Sequence, residues 1–260
     1  MHFLLQSDNL DLHNGKNLDL DIVQLKTVLD RLKIFSEYTE MKYADLKNAD
    51  VKDVRNTIPV GTIPFVEEWL KKCHNIDYIN PIEIPYFLRM PDFIKRDYRI
   101  VPYNRIPETG EYFIKDVSRL KRFVFFGNRR DIEQRYEGTV VDKTHLFQVS
   151  EVVKILSEHR VYIIDGKIEN VCNYNGSPLV SPDSDVIIRA NRMYMAKPDY
   201  PRSLTMDVMV TENGTELVEI HPFIACGLYG TLWGDNLGYA YRDGIRYVTK
   251  HNTPIVASES

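Results

Sequence analysis

The chain has 260 residues, 43% of them hydrophobic and 27% charged, an ordinary globular composition with room for one large domain or two. Its formal net charge of −4 lacks the global basic footprint of a nucleic-acid binder, and 16 tyrosines without a basic surface make no stacking platform for single strands. Cys73, Cys172 and Cys226 are far apart and form no CxxC pair, which argues against a zinc knuckle or disulfide framework and for reduced thiols in a cytoplasmic protein.

The opening MHFLLQS is too short for a signal-peptide core, and no apolar run approaches the ~20 residues of a membrane span. HFLLQS predicts a first buried strand. Leu18, Ile22, Leu25, Leu29 and Leu32 recur at helical spacing and predict an amphipathic helix over 18–33. VGTIPFVEEWLKKC predicts another, with Thr62 as N-cap, Pro64 in the first turn and Phe65, Val66, Trp69 and Leu70 as its core stripe. Residues 79–110 carry Pro81, Pro85, Pro91, Pro102 and Pro107, the pattern of an extended crossing segment and a domain boundary.

EYFIKDV (111–117) reads as a strand bearing Lys115. The polar stretch 127–139, GNRRDIEQRYEGT, flanked by Gly127 and Gly138, suits a mobile loop. Residues 149–158 read as a hinge or short helix. RVYIIDGKIENV predicts a hairpin on an Asp165-Gly166 turn. Ser181-Pro182-Asp183 starts a helix to about Met195, with Val186, Ile187, Ala190 and Met193 on one side. Interspersed strands and helices give an α/β or α+β class.

A second hairpin, LTMDVMVTENGTELVEIHPF (204–223), carries Asp207, Glu219 and His221 where neutral residues would be expected. Its register decides their meaning. A two-residue Asn213-Gly214 loop puts Asp207 opposite Ile220 and the acids on opposite faces. A three-residue Glu212-Asn213-Gly214 loop, with Gly214 in the left-handed bulge position, puts Asp207 directly opposite Glu219 with His221 on the same face. Opposed carboxylates repel, and a hard divalent cation sharing its shell with phosphate reverses the sign. A solvent-facing hairpin edge is the plainer alternative.

In order, the chain offers Lys115 in EYFIKD, Glu158 and Arg160 in SEVVKILSEHRVYIIDGKI, Asp207 in TMDV, Glu219 in LVEIHPF, and then GLYG. Over roughly residues 95–235 this set resembles the ATP-grasp superfamily, most closely a small clade common in phage and bacterial genomes. The resemblance implies an ATP-grasp fold: a pre-ATP-grasp domain at 1–95, then an ATP-grasp domain at 96–260 with a lid at about 105–150 and a catalytic part at about 151–260. It implies that Lys115 and Arg129 or Arg130 contact ATP phosphates, and that residues 148–151 form the adenine-reading hinge strand, with Glu151 as a nucleotide contact. Glu158 and Arg160 would stand at the nucleotide, Arg160 on phosphate charge. Asp207, Glu219 and His221 would face the metal, Mg²⁺ or alternatively Mn²⁺. The family pattern ends Glu-x-Asn, whereas here the third position is His221, a softer donor.

The implied activity is an ATP- and Mg²⁺-dependent ligase that joins a carboxylate to an amine or thiol through an acyl phosphate. The expected partners are small-molecule or peptide carboxylates and amines, with a modified base left open and no membrane. The expected state is a cytoplasmic monomer or homodimer in a bacterium, or in the host of a phage. A nucleotide-binding protein without turnover is the alternative that His221 motivates. For single residues, Lys115 as an edge lysine and Arg160 paired with Glu158 are the structural alternatives. Competing nucleotide motifs, GxxxxGK[ST] and GxGxxG, are absent from the sequence.

Overall fold

The computed structural model describes residues 1–8, 26–27, 30, 37–50, 54–77, 79, 82–118, 123–135, 141–229 and 236–251. The helix expected over 18–33 falls almost wholly outside them. At the N-terminus, β1 (His2–Gln6) lies between β2 (Glu37–Met41) and β3 (Thr57–Val60) in a parallel sheet of order β2-β1-β3. Phe3, Leu4 and Leu5 are all buried, as a central parallel strand covered on both faces requires. A short helix α1 (Tyr43–Asn48) precedes β3, and α2 (Ile63–His74) follows it. The α2 stripe Phe65, Val66, Trp69 and Leu70 is buried as expected, and the Trp69 indole donates to the Val54 carbonyl at 3.0 Å. Thr62 stands at the N-cap position, but its hydroxyl donates to Gln6 Oε1 at 2.9 Å instead of capping the helix.

The proline-rich segment does more than cross. It folds into single 3-10 turns at Tyr86–Leu88 and Tyr103–Arg105 around β4 (Tyr98–Pro102), and Ile84, Leu88, Phe93 and Ile94 enter the core. With β5 (Tyr112–Asp116), β6 (Val124–Gly127) and β7 (Leu146–Glu151), β4 forms an antiparallel sheet of order β4-β7-β5-β6. The stretch expected as a loop after Gly127 is instead helix α3 (Arg129–Arg135). Asn128 N donates to Asp131 Oδ2 at 3.0 Å while Asp131 N donates to Asn128 Oδ1 at 3.2 Å, a reciprocal cap, and Ile132 is buried beneath.

Residues 152–154 carry the chain without helix into the third sheet, so the hinge alternative holds. That sheet is antiparallel, order β11-β10-β8-β9, from β8 (Ile155–Ile164), β9 (Lys167–Gly176), β10 (Leu204–Thr211) and β11 (Gly214–Pro222). Asp165 (φ 49°) and Gly166 (φ 79°) make the β8–β9 turn in the left-handed region that such a hairpin needs. Helix α4 (Ser184–Met195) starts at Asp183, whose carboxylate accepts from Asp185 N at 2.8 Å. A last helix, α5 (Leu237–His251), has no counterpart among the sequence expectations.

Strand alternation divides the third sheet into two faces. Val161, Ile163, Leu204, Met206 and Val208 pack under α4 with Val186, Ile187, Ala190 and Tyr194. Tyr162, Ile164 and Phe223 pack with α5 and the N-terminal sheet. The charged residues of the candidate site share this second face at its hinge-ward end. Among the described residues no helix is long and apolar enough to cross a membrane.

Helix α5 approaches β11 so closely that a Cβ on Gly244 would lie 2.4 Å from the Phe223 carbonyl oxygen. Gly244→Ala is therefore expected to push the helix away and cost about 1–3 kcal/mol in urea unfolding. The exposed Arg246→Ala should stay within about 0.5 kcal/mol of the parent.

Candidate active site

Neither expected register of the 204–223 hairpin is the one observed, yet the acids meet. The loop is Glu212-Asn213, and Thr211 pairs with Gly214, which takes the left-handed φ of 99° as first residue of β11. Continued unchanged, this register would set Asp207 against Val218. A bulge between Asp207 and Val208 leaves Val218 unpaired and brings Asp207 opposite Glu219. The three-residue turn is thus corrected, while the facing it was meant to give is supplied by the bulge.

On the other side of Asp207, β8 places Arg160 directly opposite. Arg160, Asp207 and Glu219 therefore form one row across three hydrogen-bonded strands. Arg160 Nε and Nη2 donate to Asp207 Oδ1 and Oδ2, each at 2.8 Å, and Nη1 donates to the Gly227 carbonyl at 3.2 Å. The bidentate partner is Asp207, so the Glu158 pairing is excluded. Tyr174 and Tyr229, stacked with centroids 5.1 Å apart, lie against the guanidinium at 5.7 and 5.1 Å.

Lys115 comes from the second sheet. It sits on β5 between β6 and β7, 6% exposed, which rules out an edge lysine. Its Nζ lies 2.8 Å from both Glu219 Oε2 and Glu83 Oε1. Glu219 Oε1 in turn lies 2.7 Å from His221 Nε2. Burial works against the Lys115 charge, but the two carboxylates outweigh it and hold its pKa above the ordinary value. Arg160 is likewise raised, with burial overcome by Asp207. The two acids are driven apart: burial raises Asp207 against the pull of Arg160, whereas for Glu219 burial is overcome by His221 and Lys115, and it falls well below 4.5.

Between the second and third sheets lies a cavity of about 330 Å³. Phe113, Phe126, Val152, Ile155 and Met209 give it apolar walls, and Gln148, Ser150, Glu151 and Glu158 line it with polar groups. Gln148 Oε1 is buried without a hydrogen-bond partner among the described residues, a free acceptor facing a flat, largely apolar slot. Glu151 and Glu158 thus stand at this cavity and not in the charged row. Glu158 Oε2 accepts from Asn175 Nδ2 at 2.5 Å.

Arg129 is not brought to either place: it pairs with Glu108 and donates to the Asn104 carbonyl, and Arg130 shares Glu108 at 3.1 Å. A second cavity of about 350 Å³, between the Asp165–Lys167 turn, Arg202 and α5, holds none of the expected residues. Sequence reasoning missed Glu83 and Arg96. Arg96 lines the nucleotide-sized cavity and pairs at 3.1 Å with the fully buried Glu216, tying the start of the second sheet to β11. No spacing signal marks either one; both lie in the proline-rich segment.

No group of three or more His, Cys, Asp or Glu side chains among the described residues is arranged to hold a metal ion. Asp207 and Glu219 are two hard oxygen donors, and His221 contacts Glu219 instead of completing a cage. That donor set fits a Mg²⁺ ion that takes the rest of its shell from phosphate and water.

Residues 93–235 match a family of ATP-grasp domains, the second family of its clade. No curated protein matches the chain in sequence. Among solved structures, D-cycloserine synthetase DcsG aligns over 97% of this chain and 100% of its own, at 12% identity and TM-score 0.55. D-alanine–D-alanine ligase from Bacillus anthracis, complexed with ATP, aligns over 96% of each chain, at 13% identity and TM-score 0.52. A RimK domain protein from Sphaerobacter thermophilus aligns over 96% of this chain and 98% of its own, at 10% identity and TM-score 0.55. At these identities the likeness is one of fold.

Asp207→Ala should strand the Arg160 charge in a buried setting and cost about 3–5 kcal/mol in chemical denaturation. The depressed Glu219 carboxyl contributes stability that is present above the ordinary glutamate value of 4.5 and is lost as pH falls through its folded value. The stability gap between wild type and Glu219→Gln is accordingly expected to shrink as denaturation curves are taken below pH 4.5; a gap constant with pH would contradict it.

Proposed function

This chain belongs to the ATP-grasp family, and on that premise we propose that it is an ATP- and Mg²⁺-dependent ligase joining a carboxylate to an amine or thiol. The observation that carries the proposal is the charged row Arg160–Asp207–Glu219 on one sheet, met by Lys115 from the other, at the edge of a flat cavity between them. In this reading residues 1–95 precede the ATP-grasp unit at 96–260, with the sheet of β4–β7 as lid and residues from about 151 as catalytic part. Adenine occupies the cavity, with Gln148, Ser150 and Glu151 as its polar contacts, and the phosphates extend toward Lys115 and Arg160. Arg129, held at Glu108, would need to move to take part.

A carboxylate is a poor electrophile. Attack of its oxygen on the γ-phosphorus of ATP forms an acyl phosphate and releases ADP. A neutral amine then attacks the acyl carbon, expels inorganic phosphate and gives up a proton to leave the amide. Lys115 supplies fixed positive charge to the phosphate oxygens, and the raised pKa keeps it protonated throughout. Arg160 stays charged and oriented by Asp207 and the two tyrosines, so its orientation is settled before substrate arrives. Asp207 and Glu219 would hold Mg²⁺, which supplies charge neutralisation on the transferring phosphoryl group. The lid sheet would exclude water from the acyl phosphate.

His221, in the family's asparagine position, favours a second reading in which nucleotide binds without turnover. Calorimetric titration with Mg·ATP tests both. Binding at millimolar concentration or tighter is expected, and Lys115→Met should weaken it at least roughly tenfold, the loss of one charge-assisted contact. No binding would end both readings. ADP release on addition of mixed amino acids and peptides supports the ligase; binding with no ADP release from any such pool leaves the second reading.

A further inference from the structure

Glu83 reaches the site from the proline-rich segment, ahead of the residues that match the family. It is 4% exposed and its backbone is left-handed, φ 55°, a region that glycine favours and glutamate occupies only under constraint. Its Oε1 holds Lys115 Nζ at 2.8 Å, the same distance as Glu219 Oε2 on the same ammonium. Its Oε2 is buried with no hydrogen-bond partner among the described residues. A buried carboxylate oxygen without a partner is costly, so the arrangement carries both backbone strain and incomplete solvation.

The charges around it do not balance. Lys115 and Arg160 face three carboxylates, Glu83, Asp207 and Glu219. Asp207 is satisfied by Arg160, and Glu219 has both Lys115 and His221. Glu83 has Lys115 alone, through one oxygen. It is the most weakly held of the three acids, on the lysine that the proposed reaction needs for phosphate.

We propose that Glu83 is a latch: in the nucleotide-free protein it takes the place on Lys115 that a nucleotide phosphate takes on binding. The proposal rests on the nucleotide reading of this site and adds its regulation. Phosphate must displace one carboxylate from Lys115, and the strain and unsatisfied oxygen released with Glu83 offset part of that exchange. The apparent affinity for a phosphate-bearing ligand is then the intrinsic affinity multiplied by the unlatched fraction. A nucleoside without phosphate never meets the latch.

The test compares calorimetric binding of Mg·ATP and of adenosine to full-length wild type, Glu83→Gln and Glu83→Asp, with thermal unfolding as the folding check. Glu83→Gln is expected to tighten Mg·ATP by roughly tenfold, one charge-assisted contact removed from the competition, and to leave adenosine within about twofold on the same scale. Should Glu83→Gln not fold, Glu83→Asp keeps the charge but draws it back by one methylene, and a smaller tightening in the same direction is expected. Mg·ATP affinity that is unchanged or weaker in the folded variant overturns the latch; a weaker one would place Glu83 on the cation instead. Equal tightening of adenosine overturns it as well. If wild type and variants bind neither ligand, the nucleotide reading falls together with the latch, whereas wild-type binding with an unmoved variant removes the latch alone.

Discussion

Three side chains in register across three strands hold the site together: Arg160 on β8, Asp207 on β10 and Glu219 on β11. Backbone hydrogen bonds fix their spacing, so the positions of the charges follow from pairing and not from flexible side chains. One unpaired residue decides it. Without the bulge at Val218, every residue of β11 beyond it would shift by one, and Glu219 would turn to the other face. The apolar side chains on that face, under α4, enforce the choice, because a slip would bury the acid among Val208, Leu217 and Ile220.

Such a row is stable only if its charges are answered locally. Arg160 answers Asp207 through two parallel hydrogen bonds, a geometry that a lysine could not reproduce. Glu219 is answered from another sheet, by Lys115, and by His221 two residues along its own strand. The ion pair between Lys115 and Glu219 is therefore also a tie between two layers of the molecule, laid across the mouth of the cavity where adenine is proposed to sit. Site electrostatics and the closure of the cleft depend on the same contacts.

Periodicity and turn chemistry carry much of the fold. The α2 stripe, the Asp165-Gly166 turn and the Asp183 start of α4 each depend on interactions within a few residues, which a sequence displays directly. The departures also have local causes. Asn128 and Asp131 cap one another at a spacing of three, and the charge density of the stretch hides that signal behind the look of a loop. Thr62 does have the position of a cap, but Gln6, 56 residues away, takes its hydroxyl. In α5 the buried stripe of Leu237, Tyr241, Ile245 and Val248 has helical spacing in the sequence too, a signal that the expectations omit.

For the site, the sequence alone determined the inventory and its order: a lysine strand, an arginine hairpin, and two acids on a second hairpin. Those are local facts, and their order along the chain is enough to carry a family resemblance. The tertiary structure decided which charges meet. It chose Asp207 over Glu158 as the partner of Arg160, drew Arg129 away to Glu108, and set Glu83 on Lys115 from 32 residues upstream. Strand register, a single bulge and the approach of two sheets govern those pairings. They arise from packing over the whole molecule, and no short window of sequence contains them.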